Sequence, residues 1–379
     1  MCFVNGFVSP DSRPVQIGEC SFGVLPCGVR HQDRIGDNFE TFLLAVPTTL
    51  CVPVPDPSAA LGKLSSCEDL EAQLVCNNFH KNNSHTAKRL IRGYHLQTMF
   101  EKLDAAATKM ESFVCVGLDP TPERVPIDDI LAFNCAIIDA TKDVVSAFKP
   151  QFAYYEAMGI EGWKILEKTI QHIRDVAPDH VIVGDGKRGD ISTTATAYAT
   201  AMFEVWDVDI ATIYAYQGSD TVEPFLQYPG KGVYIVCRTS NPSARDIQDL
   251  VVDGSDQRDQ VFNRVAEMAE KWIQTEKVGL VVGATYPDDL RALRSKHPDP
   301  HFLIPGVGAQ GGVAEDTARA GANERGGGFI VNSSRGIIYA SSNPGSFDIA
   351  AHEAAELLKT QLNDALKPNG HTAQTLTIE

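Results

Sequence analysis

Short apolar runs alternate with longer amphipathic stretches from about Leu96 to near the end of the chain. The short runs are bounded by polar, glycine or proline residues, a pattern typical of buried β-strands. They predict eight strands: Phe113–Leu118, Val145–Phe148, His180–Gly184, Ile210–Tyr214, Gly232–Cys237, Val278–Gly283, Phe302–Ile304 and Gly328–Val331.

The amphipathic stretches predict the helices that connect these strands. Examples are Ile127–Val144, Glu156–Ala177, Ile191–Val205, Gln260–Glu276 and Asp288–Lys296, with a final helix at about Phe347–Leu366 and one near Thr98–Met110 that precedes the first strand. Eight strand–helix units in roughly 270 residues indicate an α/β protein with a (β/α)8, or TIM, barrel. A doubly wound open sheet is the alternative, but it would normally carry a glycine fingerprint after its first strand, and Leu118-Asp119-Pro120 has none.

Residues 1–95 lack this regularity. They are rich in Pro, Ser and Cys, and prolines interrupt their apolar stretch between Phe42 and Pro55. They hold 8 Lys/Arg and 9 Asp/Glu, a net charge of −1, so −15 of the total of −16 belongs to the rest of the chain. We therefore predict a poorly ordered, dispensable N-terminal extension at 1–95, a barrel domain at 96–367 and a C-terminal tail at 368–379.

Charge and cysteine content exclude several classes of protein. The net charge of −16 argues against nucleic acid or an anionic membrane as a partner. No apolar run reaches the roughly 18–20 residues that span a bilayer. The nine cysteines form no CxxC pair and show no Cys/His ligand spacing, which argues against zinc. Their odd number, with no visible signal peptide, favours reduced thiols and a cytoplasmic protein.

Polar residues follow most of the predicted strands. Asp119 follows the first, Lys149 the second, Asp185 and Lys187 the third, Thr239-Ser240-Asn241 the fifth, Gly306–Gly312 the seventh and Asn332–Gly336 the eighth. Taken singly, each could belong to a turn or a surface ion pair. In a barrel, however, the carboxyl ends of the strands share one mouth, where active sites are built. We therefore expect two lysines and two or three aspartates around one pocket.

The segment from Asp185 to Asp190 is the most informative, because four charges of mixed sign stand where a buried strand ends. Asp185 and Lys187 are two residues apart on an extended segment, so their side chains point to the same side. Burying such charges is costly unless they are paired or used in function. The segment therefore predicts a charged functional site.

The loops after the last two strands predict a site for phosphate. The glycine-rich turn Gly308–Gly312 can expose backbone N–H groups, and the Arg335 guanidinium can bind an anion through two parallel N–H bonds. Gln310 can donate an amide hydrogen bond. Barrels most often hold phosphate at these two loops, so a phosphate monoester is the expected ligand.

Five short motifs stand in the order found in a known family. They are Cys115-Val-Gly-Leu-Asp119-Pro, Phe148-Lys149-Pro-Gln151, the set Asp185, Lys187, Asp190, Ile191 and Thr194, Pro305-Gly-Val-Gly-Ala-Gln310-Gly, and Val331-Asn-Ser-Ser-Arg335-Gly. Through them the chain resembles the orotidine 5′-monophosphate decarboxylase family, in its longer, bacterial-type branch, over about Met99–Leu366. No phosphoribosyltransferase motif is visible, so the chain does not look like the fused two-enzyme form.

The resemblance implies a homodimer with shared active sites that converts orotidine 5′-monophosphate to uridine 5′-monophosphate, the last step of de novo pyrimidine nucleotide synthesis. It implies no cofactor and no metal. The catalytic residues would be Lys149, Asp185 and Lys187 of one subunit with Asp190 of the other. Substrate contacts would come from Ile191 and Thr194 across the interface, Asp119, Lys149 and Gln151 near the ribose, Thr239 and Ser240 at the pyrimidine, and Gln310 and Arg335 at the 5′-phosphate.

The implied chemistry accounts for the charged residues. Loss of CO2 from C6 leaves a carbanion in the ring plane, which fixed cations must stabilise. Lys187 could stabilise this charge and then protonate C6, while the aspartates keep it charged and oriented. Two alternatives remain: a Mg2+-dependent sugar-phosphate decarboxylase or aldolase of the same barrel superfamily, and a non-catalytic nucleotide-binding barrel. Lys149 favours the metal-free decarboxylase, because the metal enzymes would be expected to carry a metal-ligating acid there.

Overall fold

Eight parallel strands close into a barrel in the computed structural model, which describes residues 97–253, 258–273, 277–308 and 311–367. The strands follow one another in chain order, and the last pairs with the first. They are β1 Val114–Leu118, β2 Ala147–Pro150, β3 Val181–Arg188, β4 Ile210–Ile213, β5 Gly232–Arg238, β6 Val278–Val282, β7 His301–Pro305 and β8 Phe329–Ser333. The predicted TIM barrel is confirmed, whereas the predicted extension at 1–95 and tail at 368–379 lie outside the described residues.

The side chains along each strand alternate between two apolar layers, because successive residues of a strand point to opposite faces of the sheet. In β3, Val181 and Val183 pack in the barrel interior, while Ile182 packs against the surrounding helices. In β5, Tyr234 and Val236 face inward in the same way. Both faces are buried, which is why the strands appear in the sequence as continuous apolar runs.

The described part of the chain contains eleven α-helices. They are α1 Met99–Lys109, α2 Ile130–Thr141, α3 Phe152–Ala157, α4 Gly159–Val176, α5 Ser192–Thr200, α6 Ser219–Leu226, α7 Val261–Ile273, α8 Pro287–Lys296, α9 Ala314–Gly321, α10 Arg335–Ile338 and α11 Phe347–Leu366. No helix in this part of the chain is long and apolar enough to cross a membrane.

Helix α1 covers the amino-terminal ends of the strands. Thr98 begins it with a capping box, in which the Thr98 and Glu101 side chains each bond the backbone N–H of the other. Met99 and Leu103 join the apolar interior of the barrel, and Phe100 stacks on His301 at the start of β7. The interior is therefore closed at this end, and chemistry is confined to the opposite mouth.

Several helices differ from the prediction for local reasons. The helix predicted at Glu156–Ala177 is two helices, α3 and α4, because Gly159 has a left-handed φ of 68°. The helix predicted at Ile191–Val205 is α5 followed by a π-helical turn at Ala201–Val205. No bounds were predicted for helices α6, α9 and α10, and the antiparallel pair Val251–Asp253 with Arg258–Gln260 was not predicted.

Three strands extend further than predicted and carry charged residues with them, and in β5 that residue is Arg238. β2 includes Lys149, and β3 includes Asp185 and Lys187. The pairing of β3 with β4 shifts in register between Gly184 and Arg188, a bulge-like irregularity. Such irregularities redirect side chains near active sites. The last residues of β2 and β3 thus lie at the mouth of the barrel.

Candidate active site

Asp185 is the centre of a hydrogen-bonded cluster at the barrel mouth. Its Oδ2 accepts from Lys149 Nζ at 2.7 Å and from Gln151 Nε2 at 2.8 Å. Its Oδ1 accepts from Lys187 Nζ at 2.6 Å and from Thr212 Oγ1 at 2.8 Å. A carboxylate offers about four acceptor positions, so Asp185 is saturated with donors.

The charges of this cluster hold one another in the ionised state. Lys149 and Asp185 are 4% and 5% exposed. Burial alone would lower the pKa of Lys149, but Asp185 and Asp119 outweigh it and raise that pKa above its ordinary value. Burial alone would raise the pKa of Asp185, but Lys149 and Lys187 hold it well below its usual range. The buried pair therefore stays charged at any physiological pH.

Lys187 occupies an unusual backbone conformation. Its φ of 45° is left-handed, which costs a residue other than glycine about 1–3 kcal/mol. Its backbone N–H donates to Thr212 Oγ1 at 3.0 Å, inside the irregular end of β3. The Lys187 side chain is 37% exposed, against 5% for Lys149. Of the two lysines, Lys187 is the one that faces the mouth.

Asp119 lies beside the array at the end of β1. Burial raises the pKa of Asp119, and the opposing effects of Lys149 and of the Ser334 hydroxyl do not fully offset it. Asn332 Nδ2 donates in turn to Ser334 Oγ at 3.3 Å. Asp119 Oδ1 is shielded from water and has no hydrogen-bond partner among the described residues. This oxygen is available to a hydroxyl group of a ligand.

Asp190 does not join the array within its own chain. Its Oδ1 accepts from the backbone N–H of Ile191 at 2.7 Å, and among the described residues it has no ion pair. Ile191 and Thr194 lie at the exposed start of α5, and Ile191 is 46% exposed. These three residues therefore present polar and apolar groups to the outside of the chain.

The loop after β7 is held by its own backbone. The Gly311 N–H donates to the Gly308 carbonyl at 2.8 Å, and the Gly312 N–H donates to the Gly306 carbonyl at 3.1 Å. Positions 308 and 311 require glycine because their φ angles, 74° and 95°, lie in the left-handed region. The backbone N–H groups of Gly308, Gly311 and Gly312 thus already donate to carbonyls within the loop. They are therefore not free to bind a phosphate as predicted. Gln310 lies outside the described residues.

Arg335 begins α10, directly after β8, and is exposed. Among the described residues its guanidinium has neither a hydrogen bond nor an ion pair. An exposed guanidinium at this end of β8 is free to bind an anion at the barrel mouth.

The loop after β5 carries the predicted pyrimidine contacts and is fixed at both ends. Thr239 N–H donates to Gln248 Oε1 at 3.0 Å, and Gln248 Nε2 donates back to Thr239 Oγ1 at 2.8 Å. Thr285 Oγ1 donates to the Ser240 carbonyl at 3.2 Å. Hydrogen bonds with Gln248 and Thr285 therefore hold Thr239 and Ser240 in place.

Arg238, at the end of β5, was not predicted as part of the site. It is 3% exposed, and its guanidinium lies 2.6 Å from Asp249 Oδ1 and 2.9 Å from Asp289 Oδ2. It also stacks on Tyr286, 4.5 Å from the ring centre. Through its ion pair with Asp289, Arg238 links the end of β5 to the start of α8. The available sequence signal was an arginine that directly follows an apolar strand.

The structure thus brings Lys149, Gln151, Asp185 and Lys187 into direct contact, with Asp119 beside them. Gln151, predicted near the ribose, bonds Asp185 in this chain. Thr212 also belongs to the cluster and was not predicted, because a threonine in a strand is an ordinary strand former.

The barrel and the buried lysine–aspartate array at its mouth define the class: an enzyme of the (β/α)8-barrel type with a charged centre. Residues 112–346 match the Orotidine 5′-phosphate decarboxylase / HUMPS family. The chain belongs to this family, and the resemblance drawn from its motifs is confirmed.

Individual relatives agree with the family match. Orotidine 5′-phosphate decarboxylase of Cupriavidus metallidurans is 42% identical over 273 residues, which are 70% of this chain and 98% of the relative. The structure of Leishmania donovani OMP decarboxylase has a TM-score of 0.62 and 34% identity, covering 71% of this chain and 98% of that one. The structure of Leishmania donovani UMP synthase has a TM-score of 0.63 and 36% identity, covering 71% of this chain and 56% of that one.

Proposed function

We propose that this protein decarboxylates orotidine 5′-monophosphate to uridine 5′-monophosphate, the last step of de novo pyrimidine nucleotide synthesis, without a metal or an organic cofactor. The observation that carries the proposal is the array in which Lys149 and Lys187 each bond one oxygen of Asp185. Membership of the decarboxylase family supports the same reaction.

The array supplies what the reaction requires. Departure of CO2 from C6 places negative charge in the plane of the pyrimidine, where ring π orbitals cannot delocalise it. A fixed ammonium stabilises such charge without reorganising when it develops. Lys187 faces the mouth and is held by Asp185, so it stabilises the carbanion and then transfers its proton to C6. The Asp185 carboxylate, with all its acceptor positions filled, keeps Lys187 charged and oriented.

The remaining predicted contacts fit a nucleotide monophosphate. Asp119 Oδ1 accepts a ribose hydroxyl, with Lys149 and Gln151 nearby. Thr239 and Ser240 face the pyrimidine, and Arg335 with Gln310 holds the 5′-phosphate. Binding the phosphate, far from C6, supplies energy that organises the loops around the base and so raises the rate as well as the affinity.

We also propose a homodimer in which Asp190, Ile191 and Thr194 of one subunit complete the site of the other. Two features support this arrangement. The Asp190 carboxylate, three residues after Lys187, has no cation among the described residues of its own chain. Ile191 is an apolar side chain left 46% exposed beside it, which a second subunit would cover.

A cytoplasmic location fits the thiol chemistry. The three cysteines of the described part, Cys115, Cys135 and Cys237, are free. Burial raises the pKa of Cys115 and of Cys237 to about 12, which keeps both thiols protonated and unreactive.

A Mg2+-dependent sugar-phosphate decarboxylase or aldolase remains the alternative within the barrel superfamily. At the end of β2, where such an enzyme would be expected to place a metal-ligating acid, this chain has Lys149 in a buried ion pair. Turnover that persists in EDTA favours the proposed reaction, and loss of turnover that Mg2+ restores favours the alternative. A non-catalytic nucleotide-binding barrel would bind uridylate but leave orotidylate unchanged.

The decisive experiment measures the absorbance change of orotidylate with the purified full-length protein in EDTA. We expect steady conversion to uridylate. Lys187→Ala should lose several orders of magnitude in kcat yet still bind uridylate, while Lys164→Ala, an exposed lysine on α4, should leave kcat unchanged. A folded wild-type protein without turnover, or a Lys187→Ala variant with near-normal kcat, would contradict the proposal.

A further inference from the structure

We propose that Thr212 is a positioning residue for this reaction and that its hydroxyl sets where the Lys187 ammonium stands. The inference rests on the proposed decarboxylation and deepens it, because it names a group that no motif pointed to. Thr212 lies in β4, the strand next to β3, and is 1% exposed.

The Thr212 hydroxyl holds both ends of the same residue pair. It donates to Asp185 Oδ1 at 2.8 Å and accepts from the Lys187 backbone N–H at 3.0 Å. A carboxylate only accepts and a backbone N–H only donates, so the direction of both bonds is fixed. The hydroxyl proton therefore helps to orient the Asp185 carboxylate, together with its three other donors, while a lone pair of the same oxygen holds the Lys187 backbone.

The backbone at Lys187 needs such a restraint. Its left-handed φ of 45° is unfavourable for a lysine, and the pairing of β3 with β4 loses its regular register at this point. Regular strand hydrogen bonds therefore do not hold this residue. The bond to Thr212 is a side-chain replacement for the missing ladder bond.

Loss of the hydroxyl would act on the ammonium by two routes. Lys187 would be free to relax toward an ordinary φ, which moves the root of its side chain. Asp185 Oδ1 would keep Lys187 as a partner but lose its second donor, which loosens the restraint on the rotation of the carboxylate. A displacement of about 1 Å at a reacting group can cost about 100-fold in rate. Thr212 itself forms no hydrogen bond with the described residues proposed to bind the ribose or the phosphate, so substrate affinity should change little.

The test compares Thr212→Val, which removes the hydroxyl at nearly constant volume, with Thr212→Ser, which keeps it. The matched control is Thr141→Val on α2, a residue that is 0% exposed and donates to the Ile137 carbonyl at 2.7 Å. Each variant is assayed for kcat and KM with orotidylate, for uridylate binding, and for its melting temperature, with kinetics measured below the transition.

We expect Thr212→Val to lose about 100-fold in kcat with unchanged KM and uridylate affinity, and Thr212→Ser to recover most of the rate. Thr141→Val should melt at a lower temperature with unchanged kcat. If Thr212→Val does not fold, Thr212→Cys replaces it, because a thiol of similar size is a weak donor and acceptor. Wild-type kcat in the Val or Cys variant, or a kcat loss that Ser fails to rescue, overturns the proposal for Thr212. An inactive wild-type protein instead overturns the proposed function.

Discussion

The Lys149 ammonium lies 2.7 Å from Asp185 Oδ2, and both groups are almost fully shielded from water. Removing one partner of such a pair leaves a buried charge without compensation, at a cost of about 3–5 kcal/mol. Asp185→Asn should therefore lower the free energy of unfolding by about this amount. It should also abolish detectable decarboxylation, because Lys187 loses the carboxylate that bonds it within its own chain.

An exposed pair provides the control for that prediction. Glu161 and Lys164 also lie 2.7 Å apart, but their side chains are 75% and 57% exposed. Surface ion pairs contribute about 0–1 kcal/mol to stability. Glu161→Gln should therefore change neither the free energy of unfolding, measured in urea, nor kcat appreciably. Equal destabilisation by the two substitutions would contradict the importance of burial at Asp185.

Asp119→Asn should stabilise the protein at neutral pH while weakening its function. The raised pKa of Asp119 means that folding disfavours its charged form. This penalty is absent below the unfolded pKa of about 3.9 and develops as the pH rises through the higher folded value. The variant should therefore melt above the wild type at pH 7, the difference should shrink as the pH falls towards the unfolded pKa, and its KM for orotidylate should rise. A lower melting temperature at pH 7 would contradict this account.

Arg335→Ala should weaken binding of the phosphate end of the substrate. The exposed guanidinium has no partner among the described residues, so its removal should cost little stability. We expect a large increase in KM for orotidylate and almost none for orotidine, which lacks the phosphate. Arg291→Ala, which removes an exposed arginine of α8, serves as the control. Equal losses with both substrates would rule out a phosphate role for Arg335.

Mixing two inactive variants should restore activity if the site is shared. In a heterodimer of Lys187→Ala with Asp190→Ala, one site carries both changes and the other carries neither. After subunit exchange, about half of the dimers are mixed by random association, each with one intact site, and should recover up to about a quarter of the wild-type kcat per subunit. Persistent inactivity of verified heterodimers would place Asp190 in the site of its own chain.

Removal of the predicted extension should leave catalysis unchanged. A chain that begins at Gln97 keeps the Thr98 capping box of α1, whereas one that begins at Met99 loses it. Loss of a cap costs about 1 kcal/mol, so the shorter chain should melt slightly lower. Both should match the full-length protein in kcat, KM and dimer formation. Loss of folding or of turnover in the Gln97 chain would show that residues 1–96 belong to the enzyme.

The fold could be predicted from the sequence because each strand is buried on both faces. Eight continuous apolar runs gave eight strands, and α11 matches its predicted range, Phe347–Leu366. Elements were missed where local signals opposed them: α6 contains Pro224, and Gly159 divides one amphipathic stretch into two helices. The periodicity of apolar residues indicates which positions are buried, but it does not indicate the φ and ψ angles of a single residue.

The site was predictable in its charges but not in its hydrogen bonds. Lys149, Asp185 and Lys187 stand at strand ends, and barrel topology brings strand ends together. Thr212 and the Gln151–Asp185 bond depend on rotamers and on the irregular register of β3 and β4, which no spacing in the sequence encodes. The roles assigned to Asp190, Ile191, Thr194, Gln310 and Arg335 remain predictions for the experiments above.

The difference in exposure between the two lysines has a consequence for repeated turnover. A lysine that gives its proton to C6 must regain one from water before the next substrate arrives. In the single chain the Lys187 side chain is 37% exposed and accessible to solvent, whereas the Lys149 side chain is 5% exposed. Under the proposed mechanism, the Asp185 carboxylate thus holds one lysine that can be reprotonated from solvent after each cycle and one that is shielded from solvent.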